Sequence, residues 1–480
     1  MTPATPTPPA FPADFPAHAV VDLEAVRDNV RALVGHAAGA AVMAVVKADA
    51  YGHGLVPSAR AALAGGATWL GVAQAAEALA LRAAGIGPDR ARVLTWLHAP
   101  GAPFEDLLAA DVDVSVAAAW ALDAVADAAR ATGRTARVHL KIDSGLGRNG
   151  IVPADWPDAV ARAAALQAEG LVEVVGVWSH LAFADEPGHP SLDAQADAFD
   201  DAVRAAEAGG LAVALRHIAA SAATLTAPRL RYDLVRPGLA VFGLSPVPQV
   251  GAPGDFGLRP AMTLQARLAT VKRVPAGHGV SYSHQYTTPQ ETTLGVVPLG
   301  YADGIPRHAS GGRVGVGGPV YVGGPATAGL GPAGGGTADD GGRVVRIAGR
   351  VCMDQVVLDL GPYSTERAGD VVTLFGQSDG LEHAAAVPSA EDWAQAAGTI
   401  SYEIVTRLGA RVPRTYVGAH VLDDGPHAAP AAGTEPDGAT GPAQATPAPA
   451  TQTQQPAATG GGAPRGAAPQ TTQWEEATWS

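Results

Sequence analysis

Short apolar runs alternate with alanine-rich segments along the first half of the chain, and this alternation restricts the possible folds more than any other feature. Apolar strands separated by helix-like segments predict a parallel sheet covered by helices. Seven or eight such units in about 230 residues predict an N-terminal (β/α)8 TIM-type barrel, which typically takes about 250 residues. The predicted strands are AVMAVV (41–46), TWLGVA (68–73), RVLTWL (92–97), DVSV (113–116), RVHLKID (137–143), VVGVWS (174–179) and ALRHIA (214–219), with helices at 75–85 and 191–210.

The second half of the chain has a different pattern. The segments MTLQARLATVKRV, TTLGVVPLG, RVVRIAGRVCMDQVVLDL and DVVTLFG are typical of strands in a mainly antiparallel β C-terminal domain. A Gly-rich stretch around 309–342 predicts a surface insertion, because clustered glycines mark loops. Both ends are rich in Pro, Ala and Thr and cannot bury enough apolar surface to order themselves. We therefore predict a disordered arm at 1–16, a barrel at 17–250, a β-domain at 251–420 and a disordered tail at 421–480.

Charge and cysteine content argue against several classes of protein. A net charge of −14 without any block of Lys or Arg disfavours a nucleic-acid partner, which needs a clustered cationic surface. Cys352 is the only cysteine, so the chain can form no internal disulfide and does not depend on an oxidising compartment. The N-terminus lacks the features of a secretory signal, and no apolar run has the length of a membrane helix. These features predict a cytoplasmic protein without a membrane partner.

Polar side chains follow several of the predicted strands at the point where each strand ends. They include Lys47, Lys141, His180, Ser221 and Arg236. In a barrel these strand ends converge on the face that carries the active site. A lysine at the mouth of an apolar barrel should have a lowered pKa, which makes its amine a nucleophile toward carbonyls. The spacing alone is also compatible with a surface lysine whose stem lies along apolar residues.

The segment GLGRNG (145–150) matches the glycine pattern of dinucleotide-binding loops. Such a loop should open a helix and precede an acidic residue that ends the next strand. Here IVPADWP follows, and Glu173 begins a strand instead of ending one. We interpret the segment as a tight turn that directs Arg148, and not as a nucleotide site.

Seven motifs in a fixed order carry a family resemblance: AVVKADAYGHG, KIDSGLGRNG, VWSHLAFAD, VRPGLAVFGLSP, VSYSHQY, PLGYADG and GRVCMDQ. With them the chain resembles an alanine racemase over residues 17–418. The resemblance implies a barrel that carries pyridoxal 5'-phosphate (PLP), a β-domain, and a head-to-tail homodimer in which each active site is completed by the partner. The implied reaction interconverts L-alanine and D-alanine and supplies D-alanine for peptidoglycan.

The resemblance also implies the catalytic roles. Lys47 would hold PLP as a Schiff base and act as the base on one face of the substrate α-carbon, with Tyr282 of the partner subunit on the other face. Because an ordinary tyrosine has a pKa near 10, Tyr282 would be supported by a chain through His180 and Arg236 to the pyridine nitrogen. Arginine only donates hydrogen bonds, so Arg236 would keep that nitrogen unprotonated. PLP with an unprotonated pyridine nitrogen would withdraw electrons less strongly from the substrate. This favours fast return of a proton to the α-carbon over side reactions.

The remaining roles follow from the same resemblance. Tyr51, Ser221 and the backbone of Gly238 would bind the phosphate, and Arg148 would bind the substrate carboxylate. Lys141 matches a lysine that is often carbamylated in the family and that orients this arginine. Tyr301, Met353 and Asp354 match positions that line the substrate entrance or touch the substrate from the partner. Three further residues are interpreted more simply, Cys352 as a buried small hydrophobe, and His53 and His217 as locally hydrogen-bonded histidines.

Two departures from the family pattern lie at Ala220, where asparagine is usual, and at Ala410, where we place a phosphate-contacting tyrosine of the family. At about 0.5–1.5 kcal/mol per hydrogen bond, losing both contacts predicts a several-fold to about hundredfold weaker hold on PLP.

Four alternatives stay open on the sequence. They are a broader-specificity racemase acting for example on serine, a decarboxylase of the same fold, a non-catalytic PLP-binding protein, and a binding protein without a cofactor. Arg236 disfavours the decarboxylase, because that class has an acid at the pyridine nitrogen. The β-domain with Tyr282 disfavours a carrier, which needs no group on the second face.

Overall fold

The computed structural model describes residues 11–12, 14–313, 315–323, 342–377 and 387–422. The disorder predicted for the N-terminal arm and the C-terminal tail falls almost entirely outside these residues, as does most of the predicted Gly-rich insertion. Among the helices that are described, none is long and apolar enough to cross a membrane.

The chain begins with strand β1 (Ala17–Asp22), which lies within the range predicted for the barrel but pairs elsewhere. It runs antiparallel to the strand Met262–Arg267 and parallel to the strand Arg414–Val417, both in the second domain. Asp22 then caps the first helix by accepting a hydrogen bond from the backbone N–H of Ala25 (3.0 Å). The two domains are therefore joined at the first strand as well as at the later chain connection.

Eight parallel strands form the barrel in the described part of the chain. They are ordered β9–β2–β3–β4–β5–β6–β7–β8. The segments after β8 and β9 pair through a parallel bridge between Ala220 and Arg236, which closes the sheet. Every residue of β3 and β5 is buried, as expected for strands covered by helices. The predicted (β/α)8 barrel is confirmed, with strands β2 Ala41–Val45, β3 Trp69–Val72, β4 Arg92–Thr95, β5 Asp113–Val116, β6 Ala136–Lys141, β7 Val172–Trp178, β8 Leu215–His217 and β9 Leu234–Val235.

Alanine-rich helices surround the barrel. In α1, the side chains of Val26, Val30 and Leu33 recur at helical spacing and are fully buried. The helices of this domain are α1 Leu23–Ala37, α2 Leu55–Ala64, α3 Ala75–Ala83, α4 Phe104–Ala109, α5 Ala119–Thr132, α6 Trp156–Ala168, α7 Ser191–Ala208 and α8 Ser221–Thr226.

The second domain is mainly antiparallel, as predicted. One sheet has the order β18–β17–β20–β10–β1–β21, and a second has the order β11–β14–β19. Burial alternates residue by residue along β10 and β19, the pattern of strands with one face on the core. The elements are β10 Met262–Arg267, β11 Thr270–Val274, β12 Gly279–Val280, β13 Tyr286–Thr287, β14 Thr292–Val297, β15 Gly311–Gly312, β16 Gly315–Val316, β17 Pro319–Val322, β18 Arg343–Arg346, β19 Val356–Gly361, β20 Val371–Phe375, α9 Ala390–Ala397, α10 Ser401–Thr406 and β21 Arg414–Val417.

Candidate active site

A cavity of about 670 Å³ lies at the carboxyl ends of the barrel strands. This is the face on which (β/α)8 barrels carry their active sites. Eight of the predicted site residues line it, namely Lys47, Tyr51, Lys141, Arg148, His180, Ser221, Arg236 and Gly238. Four of the eight are lysine or arginine, so the cavity suits an anionic ligand.

Lys47 enters the cavity from an unusual backbone turn. Residues 48–51 all have φ between 52° and 55°, so the chain makes one left-handed helical turn directly after β2. This conformation costs an L-residue about 1–2 kcal/mol, and strain of this kind concentrates at functional sites. The backbone N–H of Ala48 donates to the Glu77 carboxylate at 2.6 Å, which helps to hold the turn. As a result Lys47 and Tyr51 both line the cavity.

Hydrogen-bond donors converge at one end of the cavity around Gly238. A Cβ atom at this position would lie 2.2 Å from the hydroxyl of Tyr51, so only glycine permits the approach. The Ser221 hydroxyl accepts a hydrogen bond from the Gly238 N–H at 2.8 Å, and the ring of Tyr402 lies 6.3 Å from that of Tyr51. Burial raises the pKa of Tyr51 and raises that of Tyr402 to about 12, so both phenols stay protonated donors.

Lys47 and Lys141 share a crowded cationic environment. Burial, together with the charges of Arg148 and Arg236, lowers the pKa of Lys47. The Nζ atom of Lys141, at the end of β6, lies 4.2 Å from the ring centroid of Trp178. Burial, followed by the charges of Arg236 and Arg148, lowers its pKa to about 7. Both amines are thus easier to deprotonate than an ordinary lysine.

Arg236 is buried and has only neutral hydrogen-bond partners within the described residues. Its Nη2 donates to the carbonyl of Ser179 at 2.8 Å and lies 3.4 Å from His180 Nδ1, and its Nη1 donates to His217 Nδ1 at 3.2 Å. Burial lowers the pKa of Arg236 to about 9, so the guanidinium remains charged at neutral pH. Burial and then the Arg236 charge lower the pKa of His180 to about 3, so this histidine is neutral.

The segment GLGRNG forms a turn, as predicted. The Asp143 side chain accepts hydrogen bonds from the backbone N–H groups of Gly145 and Gly147, both at 3.1 Å. Gly147 has φ of 72°, which a side chain would disfavour. The next helix begins only at Trp156, so the loop does not present a helix N-terminus to a ligand. Its effect is to hold Arg148 at the cavity.

Four predicted site residues lie away from this cavity, on the surface of the second domain: Tyr282, Tyr301, Met353 and Asp354. The first three are 67%, 41% and 53% exposed. Tyr301 is held next to Cys352 by a hydrogen bond from its N–H to the Cys352 carbonyl (3.0 Å). Cys352 Sγ lies 3.4 Å from the hydroxyl of Ser281, the neighbour of Tyr282. The four residues therefore surround Cys352 but do not reach the cavity of their own chain.

Tyr402 lies on α10 and lines the cavity, although the sequence did not predict it as a site residue. Ala410, where we expected the loss of a tyrosine, is exposed and does not line the cavity. Ala410 therefore does not take the place of a cavity-lining tyrosine, because Tyr402 supplies a phenol at this end of the site; the expected effect on PLP affinity stays a prediction. The only signal available in the sequence was the position of Tyr402 shortly before the RVPR segment.

His217 makes more contacts than the local hydrogen bonding predicted for it. Its ring bridges Arg236 and a second buried histidine, His139, instead of making only a local bond. His53 does bond locally, with Nδ1 at 3.0 Å from the carbonyls of Ala50 and Tyr51. The polar residues inside the apolar strands DVSV and RVHLKID were the sequence signal for the larger network.

A barrel with these lysines and arginines at its carboxyl face, followed by a mainly antiparallel β-domain, is the arrangement expected of an amino-acid racemase. The chain belongs to the alanine racemase family. The family models of the alanine racemase N-terminal and C-terminal domains match residues 21–246 and 261–416. The resemblance inferred from the seven motifs is thus confirmed.

Individual relatives agree with this assignment. The chain is 57% identical over 406 residues to an alanine racemase of Frankia casuarinae, covering 84% of this chain and 97% of that protein. It is also 57% identical over 403 residues to one from Streptomyces coelicolor, covering 84% and 96%. Among solved structures, the alanine racemase of D-cycloserine-producing Streptomyces lavendulae is similar with a TM-score of 0.77 and 55% identity, over 85% of this chain and 98% of that one.

Proposed function

We propose that this chain interconverts L-alanine and D-alanine by exchanging the α-proton of the substrate with PLP bound in the barrel. The observation that carries the proposal is the cavity at the strand ends, where Lys47 stands among Lys141, Arg148 and Arg236. D-alanine made in this way would supply peptidoglycan synthesis, the use implied by the family.

The residues present fit PLP. The close approach of the Tyr51 hydroxyl to Gly238 leaves a narrow cradle. The hydroxyl groups of Tyr51, Ser221 and Tyr402 are suitable phosphate ligands, and the Gly238 N–H positions the Ser221 oxygen by donating to it. Lys47 supplies the amine that would hold the cofactor aldehyde. Bound PLP supplies an electron sink that weakens the α-C–H bond of an attached amino acid.

Lys47 would act as the base on one face of the substrate. Its lowered pKa increases the fraction of free amine at neutral pH, which is the form that accepts a proton at Nζ. Arg148, directed by the Asp143 turn, would bind the substrate carboxylate and fix its orientation. Its charge also opposes protonation of Lys47.

Arg236 would face the pyridine nitrogen of PLP. Because a guanidinium only donates hydrogen bonds, it would hold that nitrogen as an acceptor without a proton. His180, kept neutral by burial and by Arg236, contacts the same guanidinium and also lines the cavity.

Lys141 is suited to carbamylation. With a pKa lowered to about 7, a large part of the amine is unprotonated at neutral pH. The free amine can form an N–C bond to carbon dioxide and release one proton, giving an anionic carbamate. This change would convert repulsion between Lys141 and Arg148 into attraction.

The second face of the substrate needs a second proton carrier, and the family resemblance gives this role to Tyr282 of a partner chain. Tyr282 is 67% exposed, so it is available to enter the cavity of a second copy. Its neighbour Ser281 contacts Cys352, which precedes Met353. We propose a homodimer in which Tyr282 of each chain completes the site of the other, while Tyr301, Met353 and Asp354 border the substrate entrance.

The test is formation of D-alanine from L-alanine by the purified protein with added PLP, detected with a D-specific oxidase. Lys47→Ala is the control, and D-serine formation from L-serine is measured beside it. Turnover that disappears in the control supports the proposal. PLP binding without turnover of alanine, or faster turnover of serine, would contradict it.

A further inference from the structure

A row of buried polar side chains crosses the barrel interior, from the cavity toward the amino ends of the strands. Arg236 Nη1 lies 3.2 Å from His217 Nδ1, and His217 Nε2 lies 3.0 Å from His139 Nδ1. His139 Nε2 lies 3.3 Å from an oxygen of Asp113. Both histidines and the aspartate are fully buried. Nothing in the proposed reaction uses His139 or Asp113 directly, although such groups are costly to bury.

The direction of every hydrogen bond in this row follows from its first member. Arg236 can only donate, so Nδ1 of His217 must accept and its proton must reside on Nε2. That N–H then donates to Nδ1 of His139, which places the second proton on His139 Nε2. His139 in turn donates to the Asp113 carboxylate. Both rings are thus neutral and protonated at Nε2.

Asp113 is a fixed end point for the row. Burial by itself would raise the pKa of Asp113, but the hydrogen bond from His139 and the charges of Arg92 and Arg137 lower it. Arg137 Nε donates to the carboxylate at 2.7 Å, and Arg92 also donates to it. Asp113 therefore remains an ionised acceptor in the barrel interior.

The geometry around His217 restrains its ring. The ring stacks on Trp178 with centroids 5.5 Å apart and planes 4° from parallel. Between His139 on β6 and His217 on β8, strand β7 carries Gly176, where a Cβ atom would lie 3.3 Å from His139 Nδ1. The absence of a side chain at this position leaves room for the two imidazoles to meet.

We propose that His139 and Asp113 are positioning residues of the active site, because they hold His217 in the Nε2-protonated tautomer that accepts a hydrogen bond from Arg236. This inference deepens the proposed function and rests on the role that we give to Arg236. If His217 lost its partner at Nε2, a buried N–H would have no acceptor. Ring rotation or proton transfer to Nδ1 could relieve this cost, and either change would remove the acceptor from Arg236.

A matched pair of variants separates hydrogen bonding from packing. Asparagine and leucine have nearly the same shape, so His139→Asn and His139→Leu leave similar space in the barrel. The asparagine oxygen can take the place of Nδ1 and accept from His217, whereas leucine cannot accept at all. The difference between the two variants therefore measures the effect of the hydrogen bond that His217 donates.

The experiment is nitrogen-15 NMR of histidine-labelled protein, with and without PLP, together with alanine turnover and thermal unfolding. We expect His217 and His139 of the parent protein to be neutral and protonated at Nε2. His139→Asn should retain this His217 tautomer, whereas His139→Leu should lose it. At similar melting temperatures, kcat of His139→Leu should be about tenfold below that of His139→Asn, since an unsatisfied buried donor costs about this factor or more.

A His217 protonated at Nδ1 in the parent protein would overturn the proposal without any variant. The same His217 spectrum and the same kcat in both variants would also overturn it. A parent protein that shows the expected tautomers but no racemisation would contradict the proposed function instead, so the two failures are distinguishable.

Discussion

Tyr282 carries the second proton-transfer role in the proposal, and Tyr282→Phe removes only its hydroxyl. We expect racemisation to fall about 10²–10⁴-fold, the usual contribution of a general acid or base. PLP should stay bound, because its proposed ligands lie in the barrel. Deuterium uptake from solvent into the α-position should persist with one enantiomer of alanine and disappear with the other. Tyr363→Phe, at a tyrosine that is 93% exposed in the same domain, is the control. Equal loss of exchange with both enantiomers, together with loss of PLP, would refute the assignment.

A second prediction for a single residue concerns the carbamylation of Lys141. Because its pKa is lowered to about 7, the unprotonated form that reacts with carbon dioxide increases as the pH rises through this value. In carbon-13 bicarbonate, a carbamate NMR signal should therefore increase from about pH 6 to about pH 8. The signal should be absent in Lys141→Met and unchanged in Lys272→Met. A signal that survives in Lys141→Met would assign the carbamate to another residue.

Among the elements of the fold, the left-handed turn after β2 allows the clearest prediction about stability. Ala48 is exposed and has φ of 55°, a conformation that glycine adopts without strain. Ala48→Gly should stabilise the protein by about 0.5–1 kcal/mol, once the extra freedom of glycine in the unfolded chain is subtracted. Ala80→Gly, at an exposed position within helix α3, should destabilise it by about 1 kcal/mol. If Ala48→Gly lowered the denaturant midpoint of unfolding as Ala80→Gly does, the turn would not be strained.

The elements also show how far local patterns could predict the fold. Short apolar strands and alanine-rich helices repeat through the barrel, so β2 to β8 were located from their own residues. Strand β1 has the same local pattern, but its partners Met262–Arg267 and Arg414–Val417 lie far along the chain. Sequence alone could not choose between the two sheets, because register and pairing depend on distant residues.

The same limit applies to the site. Lys47, Lys141, His180, Ser221 and Arg236 were found because a barrel brings all its strand ends to one face. Three further residues come from other places in the fold and were missed. Tyr402 reaches the cavity from a helix near the C-terminus, and His139 and Asp113 lie inside strands, where only the three-dimensional pairing of β5, β6 and β8 reveals their contacts.

At the scale of the whole molecule, the proposal divides each active site between two chains. Lys47 belongs to the barrel cavity, whereas Tyr282 lies on the β-domain surface outside that cavity. Lys47→Ala and Tyr282→Phe should each be inactive as homodimers. In a mixed dimer, however, one site would contain both substitutions and the other would contain neither. Coexpression of the two variants should therefore restore activity.

The amount of activity that coexpression should restore follows from the symmetry of a two-fold dimer. Random pairing makes about half of the dimers mixed, and each mixed dimer has one intact site, so activity should reach about a quarter of the parent value. Coexpression of Lys47→Ala with Lys47→Ala,Tyr282→Phe is the control, because no pairing of these chains gives an intact site. Restored activity with the first pair alone would establish that each site uses both chains. No restoration, with mixed dimers demonstrated by mass spectrometry, would place Tyr282 in the site of its own chain or outside the reaction.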